Sequence, residues 1–117
     1  MTPVRRGDIY RVSLGETRGH EVRGPRYAVV VQSDAYPLST VLIVPLSSSA
    51  QATEWRVPVE VGGERTYALV EQVRAVDREL RLRERIGSIA GTSPMGQIDE
   101  ELAMMLGIHP LYREAAD

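Results

Sequence analysis

The sequence has no cysteine and no lysine, and only two histidines, His20 and His109, far apart along the chain. Without cysteine there is no disulfide and no thiolate metal site, which suits a cytoplasmic protein. Two distant histidines argue against a dedicated transition-metal site. They also leave no His–His acid–base pair of the kind many ribonucleases use. No segment is long and apolar enough to cross a membrane, and the N-terminus has no signal-type apolar core. The phosphate-cradling glycine motifs of P-loop and dinucleotide folds are absent too, and Gly62-Gly63 reads only as a turn. Repeats, linkers and low-complexity tracts are missing. Residues 1–117 therefore read as one domain, able to bury about two-thirds of its unfolded surface.

With lysine absent, all 14 basic Lys/Arg positions are arginine, and the net charge is −2. The distribution says more than the sum. From Arg5 to Arg26 six arginines (5, 6, 11, 18, 23, 26) face three acids (Asp8, Glu16, Glu21), whereas Asp99–Asp117 holds five acids and one arginine. The chain is basic at its start and acidic at its end. A guanidinium holds phosphate bidentately, as an ammonium cannot.

Hydropathy patterning predicts a mainly β chain. Tyr10, Val12 and Leu14 alternate with Arg11 and Ser13, a strand with one face on the core. Gly15–Pro25 is a glycine-rich mobile loop. Tyr27–Ser33 and Thr40–Pro45 are apolar throughout their centres and read as strands buried on both faces, which requires cover on each side of the sheet. Asp34–Ser39 is a turn and Leu46–Thr53 a hydroxyl-rich loop. Trp55, Val57, Val59 and Val61 alternate with polar neighbours; Pro58 marks an edge strand and Gly62-Gly63 a hairpin. Arg65–Val76 reads as a strand running into a turn or one-turn helix, Arg78–Arg85 is charge-dense, and Ile86–Ala90 is a last short strand. A C-terminal helix is predicted with Ser93 as cap, Pro94 at its first position, and an apolar stripe of Met95, Ile98, Leu102, Met105 and Leu106 stopped by Gly107. Met1–Pro3 is expected to fray. Five or six strands followed by one helix is the total.

Arg26 stands where the first apolar strand leaves the loop, a place for a cation to hold phosphate or carboxylate. The pattern Gly19-x-Glu21-x-x-Gly24-x-Arg26, followed by a β-branched run and Gln32-Ser33-Asp34, resembles the MazF/PemK family of toxin endoribonucleases. An Arg6-Gly7-Asp8-Ile9-Tyr10 opening, Val44-Pro45-Leu46-Ser47, and Glu71-Gln72-Val73-Arg74 with Asp77 and Arg85-Ile86-Gly87 extend the likeness over residues 5–107. Two positions depart from the pattern. Tyr27 replaces the usual proline after the arginine, and Ser47 stands where the family has its catalytic threonine.

The resemblance implies a small, strongly twisted antiparallel β half-barrel of CcdB/PemK type (SH3-like, mainly β within α+β) with a C-terminal helix, acting as a homodimer. It further implies metal-independent, cofactor-free cleavage of single-stranded RNA, mRNA or else tRNA or rRNA. The 2′-OH attacks its own phosphate to leave a 2′,3′-cyclic phosphate and a 5′-OH. Arg26 and Ser47 would stabilise the transition-state charge and deliver a proton, with Glu21 orienting or accepting. Arg6, Arg18, His20, Arg23, Ser48 and Trp55 are the candidate RNA contacts, and base choice would lie in the loops Gly15–Pro25 and Leu46–Glu54. A MazE-like antitoxin would lay an acidic tail over the basic groove. Two other readings share the fold: a CcdB-like gyrase poison working through the end of the C-terminal helix, and a non-catalytic binding module.

Overall fold

The computed structural model describes residues 3–112, and within them a curled antiparallel half-barrel carries one C-terminal helix. The strands are β1 (Asp8–Ser13), β2 (Pro25–Val30), β3 (Thr40–Ser47), β4 (Val57–Val61), β5 (Glu64–Ala68), β6 (Arg74–Asp77) and β7 (Leu82–Ser88). A turn of 3-10 helix, Val70–Gln72, joins β5 to β6, a four-residue helix α1 (Arg78–Arg81) joins β6 to β7, and α2 spans Ser93–Met105. The sheet runs β4-β5-β3-β2-β1-β7, with β6 on β3 beside Thr40–Ile43 while β5 pairs with Leu46 and Ser47 farther along. One long strand thus serves two partners along one edge while β2 holds the other, which curls the sheet.

The central strands bury both faces, as their unbroken apolar runs require. Val29, Val44 and Leu46 join one cluster with the valines of β4 and with Met95 and Ile98 of α2. Ala28, Val30, Val41 and Ile43 join the other with Tyr10, Val12, Leu14, Val76 and Leu82. Only the first face is covered by the helix. The second is closed by the curl of the sheet itself, so no second layer is needed. Pro58 lies on β4, an edge strand, and the Gly62-Gly63 turn has both φ angles positive, at 57° and 82°, as a two-residue hairpin of this hand demands.

Several boundaries differ from the sequence reading. The sheet has seven strands. Trp55 precedes β4 in a turn, and Leu46 and Ser47 extend β3. The last strand starts at Leu82, because Asp77 accepts from the Glu79 and Leu80 N–H groups and caps a turn of helix just before it. Arg83, Glu84 and Arg85 then run along an exposed edge, charges that discourage edge-to-edge pairing. In α2 the cap position is Thr92, one residue earlier than Ser93, and its hydroxyl donates to the Ile89 carbonyl. The helix ends as predicted. Gly107 (φ 72°) donates to the Met104 carbonyl and Ile108 to that of Ala103, a Schellman closure. Its apolar stripe is only half covered: Met95 and Ile98 are buried, whereas Met105 and Leu106 are exposed. Of the residues expected to fray, Met1 and Thr2 lie outside the described residues. Among the described residues no helix is long and apolar enough to cross a membrane.

Candidate active site

Arg26 is the second residue of β2. In register, Tyr27 faces Leu46 and Ala28 faces Pro45, so continuing by one residue sets Arg26 opposite Ser47 at the end of β3. The two residues singled out by the sequence therefore become neighbours across a strand pair. Both line a cavity of about 210 Å³, as does Ser48. Arg26 is half-buried, and its Nε donates to the Arg23 carbonyl at 3.2 Å. Among the described residues it forms no ion pair with Glu21, Asp34 or any other carboxylate. A guanidinium held by a neutral carbonyl keeps its charge available to an anion. Ser47 is 6% exposed, with its hydroxyl 3.4 Å from that of Ser49. It is a strand residue fixed by pairing with Tyr67, not a solvated loop hydroxyl.

Four further polar residues reach this cavity: Arg11, Tyr27, Glu64 and Thr66. Tyr27 occupies the position at which the resemblance expects proline. Arg11 lies opposite it in the β1–β2 register, donates to its phenol oxygen at 3.3 Å, and stacks on its ring with the guanidinium carbon 5.1 Å from the centroid. Glu84 on β7 accepts from Arg11 Nε at 2.9 Å, and that hydrogen bond raises the guanidinium pKa above its already high ordinary value. Thr66 is spent on structure, donating to the Val59 carbonyl at 2.7 Å. Glu64 opens β5 immediately after the hairpin, exposed and, among the described residues, in no ion pair.

The other sequence candidates lie elsewhere. Glu21 and His20 line a separate cavity of about 460 Å³ with Glu71, Gln72 and Arg74. Glu21 Oε2 accepts from the Arg18 N–H at 3.1 Å, bracing its own loop. Arg18 and Arg23 are exposed on that loop. Arg6 is paired with Asp99 of α2 and ties the N-terminal segment to the helix. Trp55 is 39% exposed in the turn before β4 and does not line the cavity that holds Arg26.

Much of the remaining motif is scaffold. Gln72 clamps the Gly15–Pro25 loop: its amide oxygen accepts from Val22 N–H and its nitrogen donates to the His20 carbonyl, both at 2.8 Å. The base of the loop is zipped by Leu14 N–H to Gly24 O at 3.0 Å and Gly24 N–H to Gly15 O at 3.1 Å. The loop predicted to be mobile is therefore anchored at three points. Gln32 spans the Asp34–Ser39 turn by donating to Tyr36 O and accepting from Leu42 N–H, Ser33 accepts from Ala35 N–H, and Asp34 accepts from Arg6 N–H. Glu71 is held by Arg56 at 2.7 Å. Gly7, with φ at 91°, lies so close to Ala90 that an added Cβ would stand 2.8 Å from it. Among the described residues no three His, Asp or Glu side chains converge as a metal site.

Comparison with known proteins places these residues in context. The family model described as PemK-like, MazF-like toxin of type II toxin–antitoxin system matches residues 5–106. The chain is 49% identical over 74 residues to a protein of Mycobacterium tuberculosis named "Putative toxin Rv3098A", covering 62% of this chain and 70% of that one. In structure it is similar to MazF from Deinococcus radiodurans, with a TM-score of 0.79 at 22% identity over 92% of this chain and 99% of that one. It is also similar to an endoribonuclease from a mycobacterial species solved with its cognate antitoxin, with a TM-score of 0.72 at 21% identity over 92% and 97% of the two chains. At these identities the structural likeness establishes the half-barrel fold.

Proposed function

Because the chain belongs to the PemK-like, MazF-like toxins of type II toxin–antitoxin systems, we propose that it is a cytoplasmic toxin that cuts single-stranded RNA without a metal ion. The RNA supplies its own nucleophile: the 2′-oxygen attacks the adjacent phosphorus and the 5′-oxygen departs, leaving a 2′,3′-cyclic phosphate. Negative charge gathers on the non-bridging oxygens in the transition state, and a pre-placed guanidinium and hydroxyl stabilise it. Arg26 and Ser47 fill these roles. The observation that carries the reading is their juxtaposition on neighbouring strands at one cavity, with no carboxylate neutralising Arg26 among the described residues.

Glu21, Arg18 and Arg23 serve the loop that would border the RNA path, Glu21 by orienting the loop backbone and the two arginines by reaching phosphates. The same exposed arginines suit an acidic antitoxin segment, which would block RNA entry. The exposed Met104, Met105, Leu106 and Ile108 at the end of α2 give a homodimer an apolar surface to bury.

The test is digestion of a mixed single-stranded RNA in EDTA with the new ends mapped. Cutting at a short motif with 5′-OH ends is the expected result. Intact RNA together with inhibition of gyrase would replace this reading with the gyrase poison, and intact RNA without it would leave a binding module.

A further inference from the structure

Resting on the nuclease reading, we propose that Glu64 and Tyr27 form the acid–base pair of the reaction, Glu64 accepting the 2′-OH proton and Tyr27 donating one to the departing 5′-oxygen. Arg26 and Ser47 supply charge stabilisation but no adequate base, since a guanidinium is not deprotonated in proteins and a hydroxyl is a weak acceptor of a proton. Glu21 lines a different cavity and is committed to the Arg18 N–H. Among the described residues Glu64 is the one carboxylate that lines the cavity of Arg26 and Ser47.

The topology brings the two groups to one cavity from the strands on either side of β3. β3 runs between β2 and β5. Tyr27 pairs with Leu46, and Leu46 with Ala68 of β5. By the two-residue alternation of strands, Tyr27 and Leu46 share a face with Ala68, Thr66 and Glu64. Tyr27 therefore lies beside β3 on one side, and Glu64 stands on the other side three residues beyond the last β3–β5 pair, Ser47 with Tyr67, both of them lining the cavity at the end of β3. Arg26 and Ser47 are one residue out of phase and start from the opposite face, and they reach the same cavity where β3 ends at Ser47, so a phosphate held there would meet all four side chains.

The chemistry of Tyr27 follows from its contacts. Its oxygen accepts from Arg11 Nη2, which leaves the phenol's own hydrogen free to donate. Arg11, itself held by Glu84, is then placed to stabilise the phenolate. In the step, the 2′-O–H proton passes to Glu64 as the 2′-oxygen bonds to phosphorus. The P–O5′ bond breaks with its electron pair going to O5′, which takes the Tyr27 proton. Glu64 ends neutral and Tyr27 anionic, and transfer of one proton between them through water restores both.

The experiment compares single-turnover cleavage of two RNAs of the same sequence, one normal and one carrying a 5′-bridging sulfur at the cleaved bond, whose thiolate leaves without protonation. Tyr27→Phe should be slowed about 100-fold on the normal RNA and only a few-fold on the sulfur RNA. Glu64→Gln should be slowed about 100-fold on both, because the attack still needs a base. Tyr27→Phe slowed equally on both, or Glu64→Gln cutting at the wild-type rate, overturns the pair while leaving the nuclease intact. A wild-type protein that cuts neither RNA overturns the nuclease reading and the pair with it.

Discussion

Gln72 Oε1 accepts the Val22 backbone N–H at 2.8 Å, joining the turn after β5 to a loop fifty residues earlier. With its second bond to the His20 carbonyl, this amide fixes the path of the chain that delivers Arg23 and Arg26. Gln72→Leu removes both bonds and strands a backbone N–H, so it should cost about 1–3 kcal/mol. Faster amide exchange at Val22, measured by hydrogen–deuterium exchange, should accompany lower cleavage. Unchanged exchange at Val22 would show that the clamp is dispensable.

The Arg56–Glu71 pair is half-buried, and Glu71 Oε1 has no hydrogen-bond partner. Arg56→Leu leaves a poorly solvated carboxylate alone and should destabilise by roughly 2–4 kcal/mol. Adding Glu71→Leu should recover part of that loss, because the stranded charge is then gone. Urea midpoints of the two variants and wild type decide it. A double variant less stable than Arg56→Leu would mean that Glu71 contributes through other contacts.

Burial raises the pKa of the Tyr10 phenol, and the carboxylate of Asp8 adds to the shift. The folded state therefore holds the phenolic proton more tightly than the unfolded chain. This stabilising contribution is complete below the unfolded pKa near 10 and is lost as pH rises through the folded value. Between about pH 9 and 11 the stability of wild type should fall more steeply than that of Tyr10→Phe, as followed by urea midpoints. Parallel curves would contradict the assignment.

The parts of this fold legible in the sequence are those whose physics is local. The runs of β2 and β3 announce burial on both faces, Gly62-Gly63 announces its hairpin, and Gly107 closes α2. The start of β7 is not legible, because Arg83–Ile86 are all exposed and an edge strand with solvent on both sides leaves no period-two signal. The site divides the same way. Arg26 and Ser47 follow from motif spacing, but Arg11, Tyr27 and Glu64 converge only through the pairings β1–β2, β2–β3 and β3–β5. Glu21 matches the motif yet lines another cavity, since hydrogen bonds within its loop, unreadable from pattern, set its direction.

The central claim is that Arg26 stabilises the charge of the transition state from its place opposite Ser47. Single-turnover cleavage in EDTA by Arg26→Ala, with thermal unfolding run alongside to confirm a native fold, tests it most directly. The expected result is a loss of about 100- to 1,000-fold at nearly unchanged stability. Wild-type cleavage by a folded Arg26→Ala protein would contradict it.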